Sequence, residues 1–251
     1  MIKMKARAMG NRMRGIFSVL LLLASSQPAD SNDRSHQDQD LTSAKTQRRN
    51  EHSKIYKGYG SENLRKLAAQ AKVGDEVFLS QVCAMSGGMP DAPPFILFNF
   101  LRDLSCDVDA VVSGVIKDRT SFLTDDEQYV FTDYTLTIEE VFKDDSASPI
   151  EVHSDIVVTR PCGTITLDGR KVVVTSVTLN SFDQGSRYVL FLTRVPDAGT
   201  YSALNSPSGF ELRDGHVLKT TEVFLGMESE NDASSFLTAL RIAAGSCSKK
   251  Q

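Results

Sequence analysis

DAVVSGVI (Asp109–Ile116), VFTDYTLTIEE (Val130–Glu140) and YVLFL (Tyr188–Leu192) decide the fold class of this chain. In the second stretch Val130, Thr132, Tyr134, Leu136 and Ile138 alternate with Phe131, Asp133, Thr135, Thr137 and Glu139. That is the period of a strand with one buried face, and apart from Phe131 the odd positions read as solvated. YVLFL is apolar at every position and belongs at the centre of a sheet with both faces covered. Val111–Ile116 supplies a first strand and Ile150–Arg160 a third. Thr164–Leu167 and Lys171–Val177 flank Asp168-Gly169, and Phe210–Leu212 and His216–Leu218 flank Asp214-Gly215; each dipeptide suits a tight hairpin. Seven or so short strands with helices before and after predict a mainly β fold: one closed or nearly closed antiparallel barrel, which leaves no sticky sheet edge, packed on N-terminal helices and one C-terminal helix.

Working outward from the strands, residues 61–105 read as helical. Leu64, Leu67, Ala68 and Ala71 recur at helical spacing behind a Ser61 cap, with Gly74 as the stop. A second short helix is expected from an Asp75 cap to Gly87 and Gly88. After Pro93 and Pro94, Phe95–Leu104 (FILFNFLRDL) carries apolar groups on nearly every face, which is the pattern of a buried helix. If exposed, Phe95, Phe98 and Phe100 would instead form a partner-docking patch. A final amphipathic helix runs from about Ala233 to Ala244, presents Phe236, Leu237, Leu240 and Ala244, and ends at Gly245.

The N-terminal 60 residues have a different texture. Lys3, Lys5, Arg7, Arg12 and Arg14 precede the apolar run Ile16–Ala24, and Ala24 and Ser26 flank Ser25, so residues 1–26 read as a cleavable export signal. The apolar run is about half the roughly 20 residues a membrane span needs, so membrane insertion after cleavage is not expected. Removing this leader takes five of 28 basic residues and no acids, leaving 23 against 32 and a formal charge of −9. An acidic exported chain is poorly suited to nucleic acid or anionic membrane surfaces, whose affinity comes from Lys and Arg. Residues 27–60 hold almost no large aliphatic side chains and read as a disordered linker, with His36 and His52 solvated in it.

Four cysteines, Cys83, Cys106, Cys162 and Cys247, lie in the mature chain. In an exported protein the even count points to two disulfides, with three possible connectivities. No C-x-x-C pair or helically spaced His pair offers a zinc site, and no cofactor motif occurs. G-x-S-x-G, H-E-x-x-H, Walker A, G-x-G-x-x-G and EF-hand patterns are all missing from the sequence. His153 beside Asp155, and His216 beside Asp214, are the histidines of the folded part and the candidate general bases for a hydrolase-type alternative; a surface His is the plainer reading. Asp125, Asp126 and Glu127 form a cluster that reads as a solvated turn rather than a calcium loop. Arg160-Pro161-Cys162-Gly163 reads as a strand end held by a disulfide.

The succession DAVVSGVI, YTLTIEEVF, RPCGTI, F-x-x-G-x-R-Y-x-L-F-L (Phe182–Leu192) and GFEL resembles uncharacterised exported bacterial β-domain proteins. Their pattern is loosely similar to the netrin-module and tissue-inhibitor-of-metalloproteinase group of OB-like barrels. The likeness covers residues 106–247 and implies the barrel. In the inhibitors an N-terminal Cys chelates the target's zinc. Here the first cysteine is Cys83, far from the expected mature start at Gln27, so that mechanism is not implied. The function expected is therefore that of an exported, non-enzymatic protein-binding or envelope-associated accessory module, with an unidentified protein partner. A purely structural envelope protein is the third reading. On an OB-like barrel, ligands would meet the curved face or the loops around Arg119–Glu127 and Val195–Thr200.

Overall fold

The computed structural model describes residues 32–81, 97–145, 149–176, 179–204, 208–219 and 231–247. The export signal, Cys83 and Phe95 lie outside the described residues. The chain divides after Asp40 into two compact units, of which the first is described only as helical backbone from Asn32. The second, from Leu41 onward, holds the strands and the remaining helices.

Five strands close into a barrel: β2 (Ala110–Leu123), β3 (Val130–Asp144), β4 (Asp155–Pro161), β7 (Arg187–Val195) and β8 (Thr200–Ser202). β2 pairs antiparallel with β3 and β7, and β3 pairs antiparallel with β4. The short β8 closes the ring, lying parallel to β4 (Val158↔Tyr201) and antiparallel to β7 (Arg194↔Tyr201). One parallel pair thus completes a barrel expected to be antiparallel throughout, an arrangement of the OB kind. The β2–β3 ladder shifts register between Val111 and Val112, Ser113 and Gly114, and Ile116 and Asp118. Such irregularities bend a long strand and re-aim its side chains. At Gly114 a Cβ would lie 2.3 Å from the Thr137 carbonyl oxygen, so only glycine permits that close crossing.

The uniform apolarity of YVLFL has a simple cause. Tyr188, Leu190 and Leu192 fill the barrel with Val112, Ile116, Leu136 and Ile138. Val189 and Phe191 point the other way, into a second core with Leu101, Phe210, Phe236 and Leu240. Each of these fully buried side chains contributes about 1.5–3 kcal/mol. The second core lies under α3 (Leu97–Asp107) and α4 (Ala233–Gly245). The sheet continues past β7 through β9 (Gly209–Arg213), β10 (His216–Lys219) and β11 (Asn231–Asp232). The β9–β10 turn places Asp214 at φ 52° and Gly215 at φ 80°, the left-handed pair that a two-residue hairpin requires. Phe98 and Phe100 of α3 pack half-buried against this core, while Asn99, Asp103 and Asp107 face solvent. That outward face is polar, so the two described phenylalanines do not make the docking patch. Lys143, buried on β3, donates from Nζ to the carbonyls of Ser105 (3.0 Å) and Val108 (2.5 Å) and pairs with Asp145, satisfying the end of α3. Cys106 and Cys247 form a disulfide that ties α3 to the segment after α4.

A separate three-stranded sheet, order β1-β6-β5, is made by β1 (Glu76–Gln81), β5 (Gly163–Leu167) and β6 (Arg170–Ser176), with β1 parallel to β6. The helix expected from Asp75 is therefore a strand over its described part. The physical reason is its two-residue period: Val77 and Leu79 pack inward, and Phe78 between them is 68% exposed. The β5–β6 turn has Asp168 at φ 49° and Gly169 at φ 76°, as the dipeptide required. Below this sheet lies the short α2 (Leu64–Ala68), whose cap is Asn63, accepting from the Lys66 amide, rather than Ser61.

Candidate functional site: a cationic cleft between the first helix and the barrel

The stretch expected to be a tether is helical. α1 (Asn32–Ile55) contains neither Gly nor Pro, and Gly58 at φ 82° turns the chain just beyond its end. The scarcity of aliphatic side chains predicts disorder, because apolar burial is the usual source of ordering energy. α1 docks instead through polar groups and one aromatic. His52, expected in solvent, is 0% exposed. Its Nδ1 lies 2.8 Å from Asp133 Oδ1 and its Nε2 lies 2.6 Å from Thr200 Oγ1. A carboxylate only accepts, so Nδ1–H donates to Asp133, and Nε2 shares the second hydrogen bond with the Thr200 hydroxyl. Ser53 Oγ accepts from the Asp125 amide at 2.8 Å. Just past the helix, Tyr56 stacks on Tyr129 and Phe131, with ring centroids 5.9 and 5.2 Å apart, and donates to Thr159 Oγ1 at 3.3 Å. Burial raises the Tyr56 phenol well above its ordinary pKa. The odd face of β3, expected to be solvated apart from Phe131, is buried at Asp133 as well, under α1.

Thr200, His52 and Asp133 have the bonding order of a nucleophile, base and orienting acid. The geometry is nonetheless that of a latch. Thr200 and Asp133 are buried along with His52, and the Thr200 hydroxyl is closed over by the histidine that would have to activate it. The arrangement joins α1 to barrel strands β3 and β8.

Docking α1 here creates a cleft of about 480 Å³ against the outer face of β2, β3 and β4. Register sets its floor, with Thr120 opposite Asp133, Asp118 opposite Thr135, and Thr135 opposite Val157. Phe122 and Val157 are its apolar part. Lys45, Arg48 and Arg49 of α1 and Arg119 of β2 surround it, against the acids Asp118 and Asp133. Four cations and two acids reverse locally the negative balance of the chain. Arg49 lies over the Phe122 ring, 5.6 Å from its centroid. Arg48 Nε is 3.9 Å from Asp133 Oδ2, too far for a hydrogen bond. Both of those atoms are buried without a hydrogen-bond partner. Of the loops expected to meet a ligand, Arg119–Glu127 supplies one wall of the cleft; Thr200, at the end of the other, belongs to the latch.

The remaining candidates are dispersed. His153 sits exposed in a turn at φ 69°, and His216 is exposed on β10. Among the described residues neither ring is hydrogen-bonded or ion-paired to a carboxylate, so the general-base geometry is not assembled at either. In the acidic cluster, Asp126 accepts from the Thr124 hydroxyl at 2.6 Å, and Glu127 accepts from Arg65 at 2.8 Å. Arg65 holds the Glu127 carboxyl below its usual range. Among the described residues no cluster is arranged to hold a metal ion, and no helix is long and apolar enough to cross a membrane. Cys162 is disulfide-bonded; Cys83 lies outside the described residues.

Arg160, read only as part of a strand end, is fully buried. Its guanidinium lies 4.1 Å from the Phe182 ring centroid and donates through one nitrogen to the Asn180 carbonyl at 2.5 Å. Its other nitrogens are unpartnered, and among the described residues no carboxylate pairs with it. Burial pushes its pKa down, to about 10.

No protein-family model matches the chain, and no curated protein matches it.

Proposed function

We propose that this chain is an exported, non-enzymatic binding module whose ligand enters the cleft between α1 and strands β2, β3 and β4. The observation that carries the reading is the cleft itself: four cationic residues line it around a buried carboxylate oxygen that has Arg48 at 3.9 Å and no hydrogen-bond donor, on the face where OB-like barrels take ligands. The latch of His52, Asp133 and Thr200 fixes the helical wall in advance of binding, so little ordering entropy is spent when the ligand arrives. Arg160, Phe182 and the two apolar cores hold the barrel beneath it. A binding role fits this inventory better than hydrolysis, because the one histidine among the described residues with an acid and a hydroxyl in reach is buried between them. The test is to express the full chain, determine its N-terminus and compartment, and map amide chemical shifts against a panel of sugars, peptides and small anions. The reading expects a product exported and trimmed near Gln27, with shifts at residues 45–49, 118–122 and 133–135. An untrimmed cytosolic product, or shifts confined to other surfaces, overturns it.

A further inference from the structure

Resting on the cleft as the binding site, we infer that its ligand is an acidic oligosaccharide, a glycan carrying carboxylate or sulfate groups beside free hydroxyls. The inference follows from what each wall of the cleft lacks. Lys45, Arg48, Arg49 and Arg119 are donors without acceptor capacity; Arg119 gives one N–H to the Phe182 carbonyl at 3.4 Å and Arg48 lies 3.9 Å from Asp133 Oδ2, and the remaining N–H groups call for an anion on the ligand. Asp133 is the opposite case: its Oδ1 is occupied by His52, and its buried Oδ2 has no hydrogen-bond donor. A buried carboxylate oxygen left unsatisfied is costly, so the ligand should also bring a donor to the floor. Anionic groups and hydroxyl donors a few ångströms apart are the chemistry of a uronic or sulfated sugar.

The competing polyanions fit less well. A phosphodiester group carries no donor for Asp133. Single-stranded nucleic acid also relies on successive aromatic platforms, and Phe122 is the single aromatic ring on this cleft. An acidic peptide that binds by strand addition needs a free strand edge, and one held by arginines alone is the case that hexaglutamate tests. Here β2 is paired on both sides, as are β3 and β4, so the cleft offers strand faces and no edge. The faces present Thr120 and Thr135, with the Phe122 ring, which lies under Arg49, beside them. At about 480 Å³ the cleft falls within the range of roughly 300–1,000 Å³ usual for small-ligand pockets, and is larger than one inorganic anion requires.

The experiment uses the mature full chain, with oligogalacturonate and a chondroitin sulfate hexasaccharide as acidic probes. Maltohexaose, hexaglutamate and inorganic sulfate are the comparisons, all followed by calorimetry and amide chemical shifts at 50 and 200 mM salt. The inference expects at least one acidic glycan to bind about tenfold or more tighter than maltohexaose and hexaglutamate, and to weaken at the higher salt. Arg119→Gln and Lys45→Gln, both at exposed positions, should each weaken that binding several-fold, whereas Lys171→Gln on the separate sheet should leave it unchanged. Equal binding of maltohexaose, or preference for hexaglutamate, with shifts still in the cleft, overturns the ligand class and leaves the cleft reading standing. Sulfate binding as tightly as the glycans also overturns it. No cleft shift with any probe, in a chain shown to be folded, overturns both.

Discussion

Replacing His52 with alanine tests whether polar contacts alone hold the first helix on the barrel. The substitution removes a buried hydrogen bond to a carboxylate and a second one to the Thr200 hydroxyl, at 2.8 and 2.6 Å. A bond to a charged group contributes about 1.5–3 kcal/mol and a neutral one about 1. Asp133 already carries one unpartnered oxygen and would then have both carboxylate oxygens bare. Arg48, 3.9 Å away, can move in and return part of that loss. The net cost is about 3 kcal/mol, equivalent in a chain of this size to a fall in Tm of about 6–12 °C. Because α1 is near one end of the described chain, part of the loss should show as local opening of the helix rather than global unfolding. The assay is a double-mutant cycle of His52→Ala and Asp133→Ala, read by thermal denaturation and by amide exchange in residues 45–55. A coupling of about 2 kcal/mol is expected. A coupling below about 0.5 kcal/mol, with unchanged exchange, would refute the latch.

Three further outcomes are expected from the same packing. Arg160→Met keeps volume and removes a buried, carboxylate-free cation, so it should be neutral or raise stability by up to about 2 kcal/mol, whereas Arg160→Ala should cost about 3; denaturant unfolding checks both, and a loss above 2 for methionine would show the guanidinium to be satisfied. Cys106→Ser with Cys247→Ser opens a crosslink across 141 residues and should cost about 2–4 kcal/mol, measured against the parent under non-reducing conditions. Burial raises the pKa of Tyr56, Tyr129, Tyr134 and Tyr188, so the unfolded chain loses those phenolic protons first. Their contribution to stability is fully present below about pH 10 and falls as pH rises through that value. Absorbance at alkaline pH should therefore show these phenols ionising together with unfolding, not before it.

The strands were legible in the sequence because their signals are local. YVLFL is apolar throughout because alternate residues serve two cores, and both Asp-Gly turns adopt the left-handed geometry that their chemistry permits. The closed barrel and the C-terminal helix follow from that spacing of strands and turns. β1 reads as a helix because EVFLS is short, and its alternation competes with a cap-like Asp75; the parallel partner that selects the strand lies far along the chain, at Arg170–Ser176. The site was not legible. α1 binds by matching single polar atoms, His52 to Asp133 across 81 residues and to Thr200 across 148. Composition carries no trace of such pairs. Asp133, in a solvated register by alternation, is buried because that helix covers it. Two local signals did exist: a run of more than 20 residues free of Gly and Pro, and the placing of Arg48, Arg49 and His52 on neighbouring turns of one helix.

The most direct measurement of whether α1 is a fixed wall of the cleft is residue-resolved amide hydrogen exchange across that helix in the intact chain. If it is, amides of residues 48–55 should be slowed on the order of 10³-fold relative to an unstructured peptide, corresponding to about 4 kcal/mol of opening energy. Exchange of those amides at the unstructured rate, beside a protected β3, would return residues 27–60 to the role of a tether and remove the cleft with it.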